Sequence, residues 1–228
     1  MTRLSSIPWV TLVIIVICTV IELTLAGAER TLWGPGRLRE TAYEWGGFWP
    51  GLLQGWRPNY SAQPYTMFLS YAFLHGGLGH LAMNMVTLWS LGGSVTDRVG
   101  RWRFLLLYVG CALGGAGGYG LFAQTVQPMV GASGALFGLA GALMAWAYVD
   151  RFTARLGLWP IARVGALLIA INVAMYWALD GQLAWQTHLG GFVAGWLLAM
   201  LIDPRSRDFA EAGEEAGTDA TGSPRTLG

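Results

Sequence analysis

Charge is what this sequence has least of. Asp, Glu, Lys and Arg make up 12% of its 228 residues, about half the share of a soluble domain, in which roughly a quarter are charged. Lysine is missing altogether, so all 14 basic side chains are arginines, set against 13 acids for a net charge of +1. With neither a basic excess nor a basic run interleaved with aromatics, a nucleic-acid groove has no support. Only two cysteines occur, Cys18 and Cys111, each inside an apolar run, where a small buried hydrophobe is the reading and no redox compartment is implied. Histidine is equally scarce: His75, His80 and His188 show no ligand spacing such as His-Glu-x-x-His, so neither a metal nor another cofactor is expected.

What the sequence has in quantity is apolar residues, 54% of the total. A hydrocarbon layer of ~30 Å is crossed by about 20 helical residues at ~1.5 Å each. Six runs approach that length: Ile7 to Ala26, Leu78 to Val95, Phe104 to Phe122, Ser133 to Val149, Val164 to Leu179 and Trp185 to Ile202. The expected fold class is therefore an all-α membrane protein, with residues 1–203 forming one six-helix domain. The first run imitates a cleaved signal peptide, with Arg3 ahead of it and Ala26-Gly27-Ala28 behind. It is longer than a usual signal core, however, and carries Glu22 near its far end. An acid within a span is by default a functional hypothesis, although at that depth the side chain has the reach to snorkel to the surface; its sequence position leaves the role of Glu22 open.

Between about Gly27 and Gly76 the chain is too polar to span, yet it holds Trp33, Tyr43, Trp45, Phe48, Trp49, Trp56, Tyr60 and Tyr65. Amphipathic rings prefer the headgroup layer, so a long first loop partly embedded in one membrane surface is expected, with a small aromatic-rich domain packed outside as the alternative. Past Asp203 large apolar residues almost vanish, and 204–228 reads as a disordered tail. With six spans, Arg3, the group Arg98, Arg101 and Arg103, the group Arg151, Arg155 and Arg163, and the pair Arg205 and Arg207 all fall on one side. The positive-inside rule makes that side, and both termini, cytoplasmic.

The candidate chemistry lies at the opposite ends of the runs. Ser133 sits in Gly131-Ala132-Ser133-Gly134 at the head of the fourth run, where small neighbours leave its hydroxyl uncrowded and the first helical N–H groups have no partner within the helix. His188 stands near the start of the sixth run, and His80 with Asn84, four residues apart and so on one helix face, near the start of the second. At one depth, polar groups in lipid are expected to face each other in a shared cavity. Gly134, Gly138, Gly191 and Gly195 would let two backbones approach closely enough to join Ser133 to His188. A nucleophile, a base and oxyanion donors imply acyl transfer to water. The soluble hydrolase pattern Gly-x-Ser-x-Gly is absent, since residue 135 is Ala. A transporter or channel is disfavoured, because charged groups cluster in loops.

These ordered elements, His75 through Gly79 leading into His80-Leu81-Ala82-Met83-Asn84, then Gly131-Ala132-Ser133-Gly134 and His188 followed by Gly190-Gly191, resemble the rhomboid family of intramembrane serine proteases from about Ile7 to Ile202. The resemblance implies a six-transmembrane-helix bundle cutting transmembrane protein substrates near the extracytoplasmic face of the lipid bilayer, a bacterial inner membrane being the expected setting. It makes Ser133 the nucleophile, His188 the general base, His80 and Asn84 the oxyanion stabilisers, Gly131 and Gly134 parts of the site backbone, and Phe137 an aromatic ring against the base. A silent relative that binds and routes membrane proteins is the alternative, but would be expected to lack the serine or the histidine. The fifth run and the Asp180 to Gln186 loop are the first guesses for a moving cover.

Overall fold

The computed structural model of the chain describes residues 8–34 and 36–202; the expected tail over 204–228 lies outside them. Eight α-helices follow in order: α1 (Trp9–Glu29), α2 (Leu38–Gly46), α3 (Gln63–Ser70), α4 (Leu78–Val99), α5 (Arg101–Phe122), α6 (Ser133–Thr153), α7 (Trp159–Ala178) and α8 (Trp185–Leu201). Among the described residues each apolar run corresponds to one long helix, and α1, α4, α5, α6 and α7 extend past their runs at a polar end, whereas α8 does not. The connection expected over Thr96 to Arg103 shrinks to Gly100, whose φ of +80° turns the chain between α4 and α5. Hydrophobicity marks what lipid tolerates, whereas backbone hydrogen bonding decides where a helix stops.

Helices α1, α5, α6 and α7 are long and apolar enough to cross a membrane. Of the remaining long helices, α8 has 17 residues and α4 carries His80, Asn84, Asp97 and Arg98, and neither meets that measure. No strand forms among the described residues; the nearest thing is one antiparallel bridge between Phe48 and Met129, with N···O distances of 3.0 and 2.9 Å.

Packing is organised by glycine. Helix α8 is held between α5 and α6, and on each side small residues bring backbones together. A Cβ on Gly118 would lie 2.9 Å from the Gly190 Cα, and one on Gly191 or Gly195 would overlap the carbonyl oxygen of Gly134 or Gly138. In lipid, where tails are as apolar as leucine, such close approach replaces the hydrophobic effect as the force joining helices. At the far end of the bundle the Trp146 indole N–H donates to the Ala199 carbonyl at 2.9 Å, and Arg98 pairs with Asp150 at 2.8 Å. Helix α7 differs from its neighbours: none of its residues is buried.

The first loop is more ordered than its composition suggests. It folds into α2, α3 and two single 3₁₀ turns, Pro50–Leu53 and Tyr71–Phe73. Phe48, Met67 and Tyr71 are completely buried in the same core as the long helices, with the Phe48 ring set edge-on to Phe68, Tyr71 and Tyr119. Trp33, Trp45 and Tyr65 remain exposed. The loop is thus joined to the bundle core and is not a separate outer domain.

Candidate active site

Helix α6 starts at Ser133 because the chain must turn sharply just before it. Gly131 takes φ +127°, a conformation side chains rarely adopt, and a Cβ there would stand 2.7 Å from the His80 ring. Conformation and space both demand glycine. The Gly131 N–H donates to the Tyr71 carbonyl at 3.0 Å, tying this turn to the first loop. The Ser133 N–H opens the helix, where no intrahelical acceptor exists for it.

His188 lies in the first turn of α8, and the glycine contacts between α6 and α8 bring it against Ser133. Its Nε2 stands 2.9 Å from the Ser133 hydroxyl oxygen. The Phe137 ring stacks on the imidazole, with centroids 4.2 Å apart and planes 10° from parallel. The other ring nitrogen, Nδ1, is 2.6 Å from the side-chain oxygen of Asn172 on α7. Asn172 is a residue that sequence reasoning passed over. The available signal was an amide alone among apolar neighbours in a spanning run, which lipid penalises unless a partner meets it.

The structure also sets His80 beside this pair. Its Nδ1 accepts the Gly76 N–H at 3.2 Å, so in the neutral ring the proton sits on Nε2, the nitrogen turned toward Gly131. Asn84 is buried on the same helix, and its amide donates to the His80 carbonyl at 2.9 Å. Among the described residues no hydrogen bond joins Asn84 to Ser133 or His188. Gly134 packs on Thr187, where a Cβ would come within 2.9 Å of the threonine hydroxyl. Among the described residues no three His, Cys, Asp or Glu side chains converge on a metal-sized site.

Glu22, whose role the sequence leaves open, is turned into the protein. It is wholly buried, and both its oxygens accept from Arg39 of α2, at 2.8 and 2.9 Å. The reason is tertiary: the first loop folds back and delivers a guanidinium that the sequence shows only as one of several loop arginines. Arg39 also donates to Glu29 at 2.7 Å and to the His75 carbonyl at 2.7 Å, and Tyr43 donates its hydroxyl to that same carbonyl. These contacts, led by the hydrogen bond to Glu22, push the Arg39 pKa up from an already high value. Burial raises the Tyr43 phenol. The clamp therefore fixes the chain at His75, one residue before the N–H that orients His80.

His75 itself points into protein. Its ring is fully buried, T-shaped against His80 with centroids 5.3 Å apart, and neither ring nitrogen has a hydrogen-bond partner among the described residues. Burial first, then the neighbouring His80, lower its pKa to about 4, against a weak opposing influence of the Phe73 backbone. It is a neutral packing group of the loop.

The sequence profile of the Rhomboid domain matches residues 61–205 of the chain. The chain belongs to the rhomboid family. Among curated proteins it is 36% identical over 129 residues to the rhomboid protease GluP of Bacillus subtilis, covering 57% of this chain and 24% of that protein. It is 33% identical over 149 residues to RHOMBOID-like protein 4 of Arabidopsis thaliana, covering 65% of this chain and 34% of the relative. To the mitochondrial Rhomboid protein 1 of Saccharomyces cerevisiae it is 32% identical over 161 residues, covering 62% and 44%. This rhomboid chain thus spans less than half the length of these relatives. With its family and its apolar helices on hand, it is an integral membrane protein. Within this rhomboid, a hydroxyl, an imidazole that can take its proton and a second imidazole N–H turned toward the same turn compose what acyl transfer requires.

Proposed function

We propose that this rhomboid is an intramembrane serine endopeptidase that hydrolyses peptide bonds of transmembrane protein substrates near the extracytoplasmic face. Six helices, α1 and α4 to α8, cross the membrane, with both termini in the cytoplasm. The observation that carries the reading is the 2.9 Å approach of the Ser133 hydroxyl to His188 Nε2. Ser133 Oγ attacks the scissile carbonyl carbon while His188 takes the hydroxyl proton. The carbonyl oxygen becomes an oxyanion, which the Ser133 N–H, the His80 Nε2–H and the second amide hydrogen of Asn84 stabilise by donating to it. Collapse breaks the C–N bond, His188 hands its proton to the departing amine, and Ser133 is left as an acyl ester. Water, deprotonated by His188, then releases the carboxylate product and restores the serine.

A silent relative that routes membrane proteins has no need of a hydroxyl and an imidazole at hydrogen-bond distance, so the geometry favours the enzyme. The test is cleavage of a transmembrane reporter and labelling by a fluorophosphonate. Wild type is expected to do both, and Ser133→Ala and His188→Ala neither, at equal expression. Cleavage that survives either substitution would remove the assignment.

A further inference from the structure

The hydrogen-bond pattern around Asn172 fixes its orientation. Its amide nitrogen donates to the Leu168 carbonyl at 3.0 Å, and a carbonyl can only accept. The NH₂ group must therefore lie on that side, which leaves the amide oxygen as the atom 2.6 Å from His188 Nδ1. An oxygen there accepts, so Nδ1 carries the hydrogen. The opposite nitrogen, Nε2, is then a bare lone pair, and it is the one facing the Ser133 hydroxyl at 2.9 Å.

We propose that Asn172 is the third member of the site, a positioning residue whose side-chain oxygen holds His188 in the tautomer and ring orientation able to take the serine proton. The inference rests on the protease reading above. It deepens that reading, because a two-residue site leaves the tautomer undetermined: a neutral imidazole with its proton on Nε2 would donate to Ser133 and could not serve as base. The Phe137 ring fixes the imidazole plane but says nothing about which nitrogen is protonated. When His188 becomes doubly protonated during attack, the same oxygen faces the positive Nδ1–H and favours the charge. His80 on α4 offers no acceptor to Nδ1 either, since its own Nδ1 accepts from the Gly76 N–H.

The position of Asn172 sharpens the point. It is half-buried on α7, a helix none of whose residues is buried. A primary amide in so exposed a spanning helix is costly in lipid unless both its ends are engaged, and here both are.

The rival explanation is that Asn172 only docks α7 against α8. Asn172→Leu keeps the shape and removes the acceptor, whereas Asn172→Asp keeps an acceptor oxygen in either protonation state. In detergent-solubilised full-length protein, with a transmembrane reporter, Asn172→Leu is expected to lower kcat about 10- to 150-fold, the range of one hydrogen bond made to a charged group, with KM changed less than twofold. Fluorophosphonate labelling should slow in parallel, and Asn172→Asp should restore at least a third of the wild-type kcat. Equal kcat for wild type and Asn172→Leu overturns the proposal, as does a loss that falls on KM or on melting temperature alone, or one that Asn172→Asp fails to rescue. If wild type itself neither cleaves nor labels, the protease reading has failed first, and the two failures are told apart.

Discussion

Replacing Gly191 by alanine tests the claim that glycine contacts build the site. A methyl group at 191 would overlap the Gly134 carbonyl oxygen, one residue from Ser133 and on the helix that bears it. Neither partner is a flexible side chain, so relief must come from moving α8 away from α6 by about 1 Å to reach ordinary van der Waals separation. The same motion opens the 2.9 Å distance from Ser133 to His188 beyond hydrogen-bond range. Misplacement of about 1 Å costs on the order of 100-fold in rate, and overpacking costs about 1–3 kcal/mol of stability. Gly195→Ala, one helical turn further from the dyad and set against the Gly138 carbonyl, should destabilise similarly with a smaller loss of activity. Gly117→Ala is the internal control: its Cβ would meet nothing within 4 Å, and a helix-interior glycine exchanged for alanine gains roughly 0.5–1 kcal/mol. The assays are reporter cleavage, fluorophosphonate labelling and thermal unfolding in detergent. Wild-type cleavage and stability in Gly191→Ala would refute the reasoning, and so would an equal loss in Gly117→Ala.

Two further outcomes follow from the loop. Arg39→Met should strand the fully buried Glu22 carboxylate and destabilise by about 3–5 kcal/mol, while the double variant Glu22→Gln/Arg39→Met should recover most of that; unfolding midpoints check both, and an unharmed Arg39→Met would contradict the clamp. For His75, the folded pKa of about 4 lies below the ordinary 6.5 of the unfolded chain, so as pH falls the unfolded state takes up its proton first. That contribution is therefore fully present above about pH 6.5 and is lost toward pH 4, by about 3 kcal/mol at the acid end. His75→Gln should flatten that part of the stability profile, and an unchanged slope between pH 6.5 and 4 would count against the buried neutral ring.

Much of this rhomboid was legible in its residues because lipid imposes simple rules. The scarcity of charge and the lengths of the apolar runs located all six long helices, since a backbone in lipid must satisfy its own hydrogen bonds. Helix-start positions brought forward Ser133, His188 and His80 as candidates, and the resemblance Phe137; in the structure Ser133 and Phe137 both lie against the His188 ring. The glycines of α6 and α8 could be matched because small residues are the packing device of membrane helices. Sequence spacing carries no information, however, about which side chains from distant segments meet. The folding of the first loop brings Arg39 to Glu22 and ties His75, so an acid whose role its sequence position leaves open is a buried anchor. Asn172 was hidden for the same reason: 16 residues and a loop separate it from His188, and only the docking of α7 beside α8 turns an isolated amide into the acceptor that sets the imidazole's proton.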